Sequence, residues 1–268
     1  MIKEPLKIIE AKHLGMKFEK LVAKYPKLEK YLISKNPPKF DLGDPETLSE
    51  LNKCLFKELA DLDIELPKGH LIPSYSLRMA YVEAINELLT SKIANFSYPI
   101  IEIGTGASAA IAMLLAKKYK RKVLATEINE ISYQLAQRNI VKNKLSSLIT
   151  LIKSEGQIIK EIVPEGKYTA LMCYPPIYPA DLTKLEKQRG WKGVQSELIA
   201  GERELDFAIK LLNEAMNNND VRINLITLQL MNKNQLEKLR RLFCEKKECG
   251  YIEIKAGTRK RYIIIIER

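Results

Sequence analysis

The stretch Ile100-Ile101-Glu102-Ile103-Gly104-Thr105-Gly106-Ala107-Ser108 restricts the architecture more than any other part of the chain. An apolar run with the look of a buried strand breaks into two glycines. From Ala107 to Lys118, small and large apolar residues then recur at helical spacing. Strand, tight turn and helix in that order bring the backbone close to a ligand and aim helix-end N–H groups at it. The loop predicts a nucleotide-like ligand without naming it.

The rest of the C-terminal part fits that junction. Strand-like runs at 98–103, 122–126, 148–152, 168–173 and 221–227 alternate with helical patterns at 107–119, 130–143, 202–217 and 234–247. Such alternation predicts a parallel sheet with helices on both faces. The last two runs, Glu248 to Lys255 and Arg261 to Glu267, are joined by Ala256-Gly257-Thr258-Arg259-Lys260 and read as an antiparallel hairpin. The expected fold is therefore α/β and Rossmann-like, with a seven-stranded, mostly parallel sheet that ends in an antiparallel hairpin.

At 268 residues the chain holds one such domain and an appendage. We divide it into a helical, basic extension over 1–73 and the α/β domain over 74–268. In the extension, Leu14, Phe18, Leu21, Val22, Tyr25, Leu28 and Leu32 recur at roughly helical steps. Pro26 and Pro37-Pro38 punctuate it, and Asp44-Pro45-Glu46 starts a further helix. After the connector Leu71-Ile72-Pro73, another helix carries Arg78 toward the glycine loop.

Formal charge is +11, and residues 1–40 hold ten lysines against four glutamates. An anionic partner suits that balance; a solvated lysine/glutamate surface is the plain alternative. Cys54, Cys173, Cys244 and Cys249 show no zinc spacing with His13 or His70, so no metal is expected. They read as reduced thiols of a cytoplasmic protein. No stretch has the length and apolarity of a signal peptide or membrane span, which makes a membrane partner unexpected.

Two further features bear on the ligand. Glu127 closes the second strand, Val123-Leu124-Ala125-Thr126-Glu127, where a carboxylate can accept both ribose hydroxyls of an adenosine. That position, and the order Gly104-Thr105-Gly106-Ala107-Ser108-Ala109, also suit a dinucleotide; the closing hairpin favours a methyltransferase. At the end of the fourth strand, Cys173-Tyr174-Pro175-Pro176-Ile177-Tyr178 places an extended loop at the carboxyl edge of the sheet, where open α/β folds bind ligands.

The chain resembles the adenine-N(6) RNA methyltransferases, a family that includes the bacterial large-subunit rRNA enzyme and the eukaryotic enzyme acting on spliceosomal small nuclear RNA. It looks like an archaeal-like member. The resemblance runs over nearly the whole chain. It rests on Ala23-Lys24-Tyr25-Pro26, Asp44-Pro45-Glu46, Leu71-Ile72-Pro73 before Leu77-Arg78, Ile103 to Ser108, Ala125-Thr126-Glu127, Glu204-Leu205-Asp206-Phe207, and Gly257 with Arg261. It implies S-adenosylmethionine as cofactor, held by Arg78, Glu102, Gly104, Thr105, Gly106, Ser108, Glu127, Cys173 and Tyr174. It implies structured RNA (ribosomal or small stable RNA) as partner of a monomeric, rRNA-processing enzyme.

The catalytic loop departs from the family pattern. Where that pattern looks like Asn-Pro-Pro-Phe, this chain reads Tyr174-Pro175-Pro176-Ile177, followed by Tyr178. In the family the Asn oxygen and a loop carbonyl accept the two amine hydrogens of adenine, and the Phe stacks on an unpaired base. A phenol oxygen lies further from the backbone than an amide oxygen, and Ile177 has no aromatic face. Tyr178 is the candidate to stack instead. The first expectation is an active adenine methyltransferase with rearranged base contacts. The others are an enzyme for a different atom or base, and a cofactor-retaining RNA-binding protein with altered or absent catalysis. Candidate RNA contacts are Lys17, Lys20 and Lys24 in the extension, Lys184, Lys187, Arg189 and Lys192 beside Trp191, and Arg259 and Arg261 in the hairpin.

Overall fold

The computed structural model describes residues 4–11, 17–92, 98–180, 195–245, 248–257 and 259–268. In chain order they form β1 (Lys7–Glu10), α1 (Phe18–Lys24), a 3-10 helix (Pro26–Tyr31), β2 (Leu32–Lys35), β3 (Pro38–Phe40), α2 (Pro45–Ala60), α3 (Tyr75–Lys92), β4 (Ile100–Ile103), α4 (Ala110–Tyr119), β5 (Val123–Glu127), α5 (Glu130–Lys142), β6 (Ile149–Lys153) and β7 (Gly166–Cys173). There follow β8 (Tyr178–Pro179), α6 (Gln195–Leu198), β9 (Ile199–Gly201), α7 (Asp206–Asn217), β10 (Val221–Leu230), α8 (Lys233–Phe243), β11 (Cys249–Ala256) and β12 (Arg259–Glu267).

Strand order in the main sheet is β1-β11-β12-β10-β7-β4-β5-β6. Pairing is parallel from β10 through β7, β4 and β5 to β6, while β12 runs antiparallel to both β10 and β11. The parallel sheet closed by a hairpin is the one read from the sequence. To its seven strands β1 adds an eighth at the edge, with Lys7 to Glu10 parallel to Ile252 to Lys255. The start of the basic extension is thus part of the sheet.

Alternate residues of each central strand serve opposite faces. Ile100, Ala170 and Met172 join α3, α4 and α5 on one face; Ile101, Ile103, Leu171 and Cys173 join α7 and α8 on the other. The first core also takes in Leu21, Leu28, Leu51, Leu55 and Phe56, so the extension packs on the face that carries α3 and α4.

Helix starts follow local chemistry. Asp44 accepts the Thr47 N–H at 2.8 Å ahead of Pro45, and Asn129 and Asn232 cap α5 and α8 in the same way. Each cap is worth about 1 kcal/mol. Only part of the segment expected to be helical between Leu14 and Leu32 is α-helix, because Pro26 ends α1 and starts a 3-10 turn.

The cysteine reading needs correction. Cys54 and Cys173 are free and buried, but Cys244 and Cys249 form a disulfide, because the end of α8 and the start of β11 bring their Cα atoms to 5.6 Å. Among the described residues, no helix is long and apolar enough to cross a membrane, and no cluster of His, Cys, Asp and Glu has the makings of a metal site.

Candidate active site

The turn after β4 bends back on itself through two left-handed glycines, Gly104 at φ +71° and Gly106 at φ +68°. A methyl group added at either Cα would meet no protein atom within 4 Å. It would project into open space, so alanine at either position adds backbone strain and takes up room in the cavity.

Two carboxylates hold this turn. Glu102, buried in β4, accepts the Thr105 hydroxyl at 2.7 Å and the Ala112 N–H at 2.9 Å. Ala112 is the third residue of α4, whose own N-cap, Ala109, has no side-chain hydrogen bond to offer. Glu102 therefore caps α4 from the neighbouring strand. Burial pushes its carboxyl up to about 7 from 4.5, against the pull of those two bonds and of Arg78. Stability from the protonated acid is then fully present below pH 4.5 and lost as pH rises through about 7. Glu102→Gln keeps an acceptor for both donors and cannot ionise. We expect it to raise unfolding free energy at pH 8 by up to about 3 kcal/mol, with little gain at pH 4; urea melts at the two pH values check this.

Glu127, at the end of β5, accepts the Gly106 N–H through Oε2 and the Asn129 N–H through Oε1, each at 2.8 Å. Burial raises its pKa, and the backbone N–H groups of Asn129 and Gly106 oppose the shift. Each oxygen keeps a second lone pair for a ligand.

A cavity of about 250 Å³ opens in front of these groups. Arg78, Glu102, Gly104, Thr105, Gly106, Ser108, Glu127, Cys173 and Tyr174 all line it. A second cavity of about 430 Å³ adjoins it, and Tyr174, Pro175, Pro176, Ile177 and Tyr178 line that one together with Arg259 and Arg261. Leu71, Arg78, Tyr174, Pro176 and Glu197 belong to both linings and form the wall between them.

The wall is stiffened from behind. Tyr81 of α3 is fully buried, accepts the Cys173 N–H at 3.2 Å and lies 3.0 Å from the Thr227 carbonyl, tying β7 to β10 where the Pro-Pro loop leaves the sheet. Burial drives the Tyr81 and Cys173 pKa values upward, which keeps both neutral. In the wall itself the Arg78 guanidinium lies over the Tyr174 ring, 4.0 Å from its centroid. Arg78 is buried and makes no ion pair among the described residues. A desolvated guanidinium without a carboxylate is costly and suits an anionic group arriving with a ligand.

Lys17, Lys20 and Lys24 line neither cavity; they are exposed on or beside α1, and Lys24 pairs with Glu58 at 2.6 Å. Lys184, Lys187, Arg189, Trp191 and Lys192 lie outside the described residues. Ile128, Phe207 and Met231 also line the cavities, and so does Glu197, which no sequence motif marks. Glu197 accepts the Leu71 N–H through Oε2 at 2.8 Å, and its Oε1 lies 3.4 Å from His70 Nδ1.

The first cavity fits a nucleoside with an amino-acid arm. Its lining brings together the Glu127 carboxylate, the open side of the glycine turn and the Arg78 guanidinium. Comparison with known proteins narrows this. The family model Methyltransf_10, described as RNA methyltransferase, matches residues 3–255. The chain belongs to that family. It is 36% identical over 262 residues to the protein MJ0046 of Methanocaldococcus jannaschii, covering 94% of this chain and 98% of that one. It is 30% identical over 169 residues to the U6 small nuclear RNA (adenine-(43)-N(6))-methyltransferase of Caenorhabditis elegans, covering 60% of this chain and 35% of that protein. Among solved structures, the hMettl16 catalytic domain in complex with MAT2A 3′UTR hairpin 1 superposes with a TM-score of 0.83 at 26% identity, over 94% of this chain and 91% of that one.

Proposed function

We propose that this chain transfers a methyl group from S-adenosylmethionine to the N(6) amine of an adenosine in structured RNA, ribosomal or another small stable RNA. The observation that carries the reading is the shared wall. A nucleoside-sized cavity with a glycine turn meets a wider, arginine-rimmed cavity at Tyr174, Pro176, Arg78 and Glu197.

S-adenosylmethionine supplies an electrophilic methyl group on a sulfonium. On this reading, Glu127 accepts the ribose hydroxyls while keeping the glycine turn closed, and Arg78 takes the carboxylate of the amino-acid arm. Ile177 and Tyr178 offer apolar contact to an unstacked base, and the Pro175 carbonyl accepts one amine hydrogen. Loss of a proton can follow methyl transfer, so the site has more need of alignment than of a strong base.

Arg259 and Arg261 line the outer cavity at the hairpin, where RNA phosphates would pass. Arg259→Ala with Arg261→Ala is expected to cut transfer of labelled methyl to structured RNA and to lower the slope of log affinity against log salt by about 1–2. Cofactor affinity should be unchanged. An unaltered salt slope would remove the hairpin from the RNA path. Lys17 and Lys20 are tested by substitution, because deleting the N-terminal segment would also remove β1 from the sheet.

A further inference from the structure

An exocyclic amine conjugated to a ring is a poor nucleophile, because its lone pair is delocalised. Acceptors on both of its hydrogens turn the lone pair out toward the methyl group. On the reading above, one acceptor is the Pro175 carbonyl. The side chain directly before the two prolines is a phenol whose ring is committed to Arg78. The wall holds one other side-chain acceptor among the described residues, and it is a carboxylate.

Glu197 is the one carboxylate among the described residues lining the outer cavity, and it lines the inner cavity as well. Only 9% of its side chain is exposed. Its orientation is fixed by the Leu71 N–H on Oε2, while Oε1 faces His70 Nδ1 at 3.4 Å. Beyond it, Ser132 Oγ lies 3.3 Å from the same ring nitrogen. The carboxylate is therefore held at the junction of the two cavities, next to a buried imidazole able to relay a proton.

We propose that Glu197 is a catalytic residue that accepts the second amine hydrogen and then takes the proton. This rests on the amine-methylation reading above. The amine lone pair forms the N–C bond, and the methyl–sulfur bond breaks with its electron pair staying on sulfur. The positively charged nitrogen then gives one proton to Glu197 Oε1, from which it passes to His70. Products are a secondary amine, a neutral thioether and a proton.

The test uses an RNA hairpin that the wild type methylates, and the same hairpin carrying purine riboside, which lacks the amine, at the methylated position. With S-adenosylhomocysteine present, wild type should bind the amine-bearing RNA about 10-fold more tightly. Glu197→Gln keeps an oxygen for the Leu71 N–H. It should lose much of that preference and about 10²-fold or more in kcat, a loss much larger than any change in S-adenosylhomocysteine affinity, with melting temperature unchanged. Equal wild-type affinity for the two RNAs overturns the inference without any variant. So does a Glu197→Gln protein with wild-type kcat and preference, which would leave the functional reading standing. Failure of the wild type to methylate any amine-bearing nucleotide overturns both.

Discussion

Replacing Glu127 with alanine should weaken binding of S-adenosylhomocysteine by roughly 10²-fold or more, measured by calorimetry. The side chain ties the glycine turn, through Gly106, to the start of α5, through Asn129, while lining the cavity. A hydrogen bond to a charged group contributes about 1.5–3 kcal/mol, and a buried donor left without its acceptor costs about as much. Alanine removes the proposed ribose acceptor and strands two N–H groups together. Glu127→Gln should lose nearly as much, because its amide NH₂ would face one of those N–H donors. A variant that binds with wild-type affinity would take Glu127 out of the cofactor site.

The second large effect lies at Tyr174. The phenol replaces an amide in the family pattern, and its ring is covered by the Arg78 guanidinium. A desolvated contact of this kind is worth about 2 kcal/mol, or roughly 30-fold in an equilibrium constant. If the ring's task is to hold Arg78 in the wall while Glu197 and the Pro175 carbonyl meet the amine, Tyr174→Phe should keep most methyl transfer. Tyr174→Asn should lose about 30-fold, despite restoring the family residue, and cofactor affinity should fall with it. The opposite order, active Asn and inactive Phe, would mean that the side-chain oxygen at this position is the acceptor.

What the sequence made legible was local. The glycine turn, the Asp44 cap and the Pro-Pro exit are each written in consecutive residues, and the final hairpin in two neighbouring runs. The nine residues expected around the cofactor meet in one cavity because they sit at the carboxyl ends of adjacent parallel strands or on the helix beside them. What escaped was non-local. Glu197 reaches Leu71 across 126 positions, and nothing in its own neighbourhood marks it. Glu102 reads as a buried strand acid, and its role as the cap of α4 appears only when Ala112 folds over it. The four-residue β1 is too short to signal a strand and finds its partner, β11, at the other end of the chain. The Cys244–Cys249 pair depends on how a helix end turns into a strand.

The activity proposed for this chain is methyl transfer to an adenosine amine in RNA. Its most direct test is incubation of the purified protein with structured ribosomal and small stable RNA and methyl-deuterated S-adenosylmethionine, followed by nucleoside mass spectrometry. Deuterated N(6)-methyladenosine is the expected product, lost in Glu127→Ala and strongly reduced in Glu197→Gln. Deuterium on any other nucleoside, or on none, would contradict it.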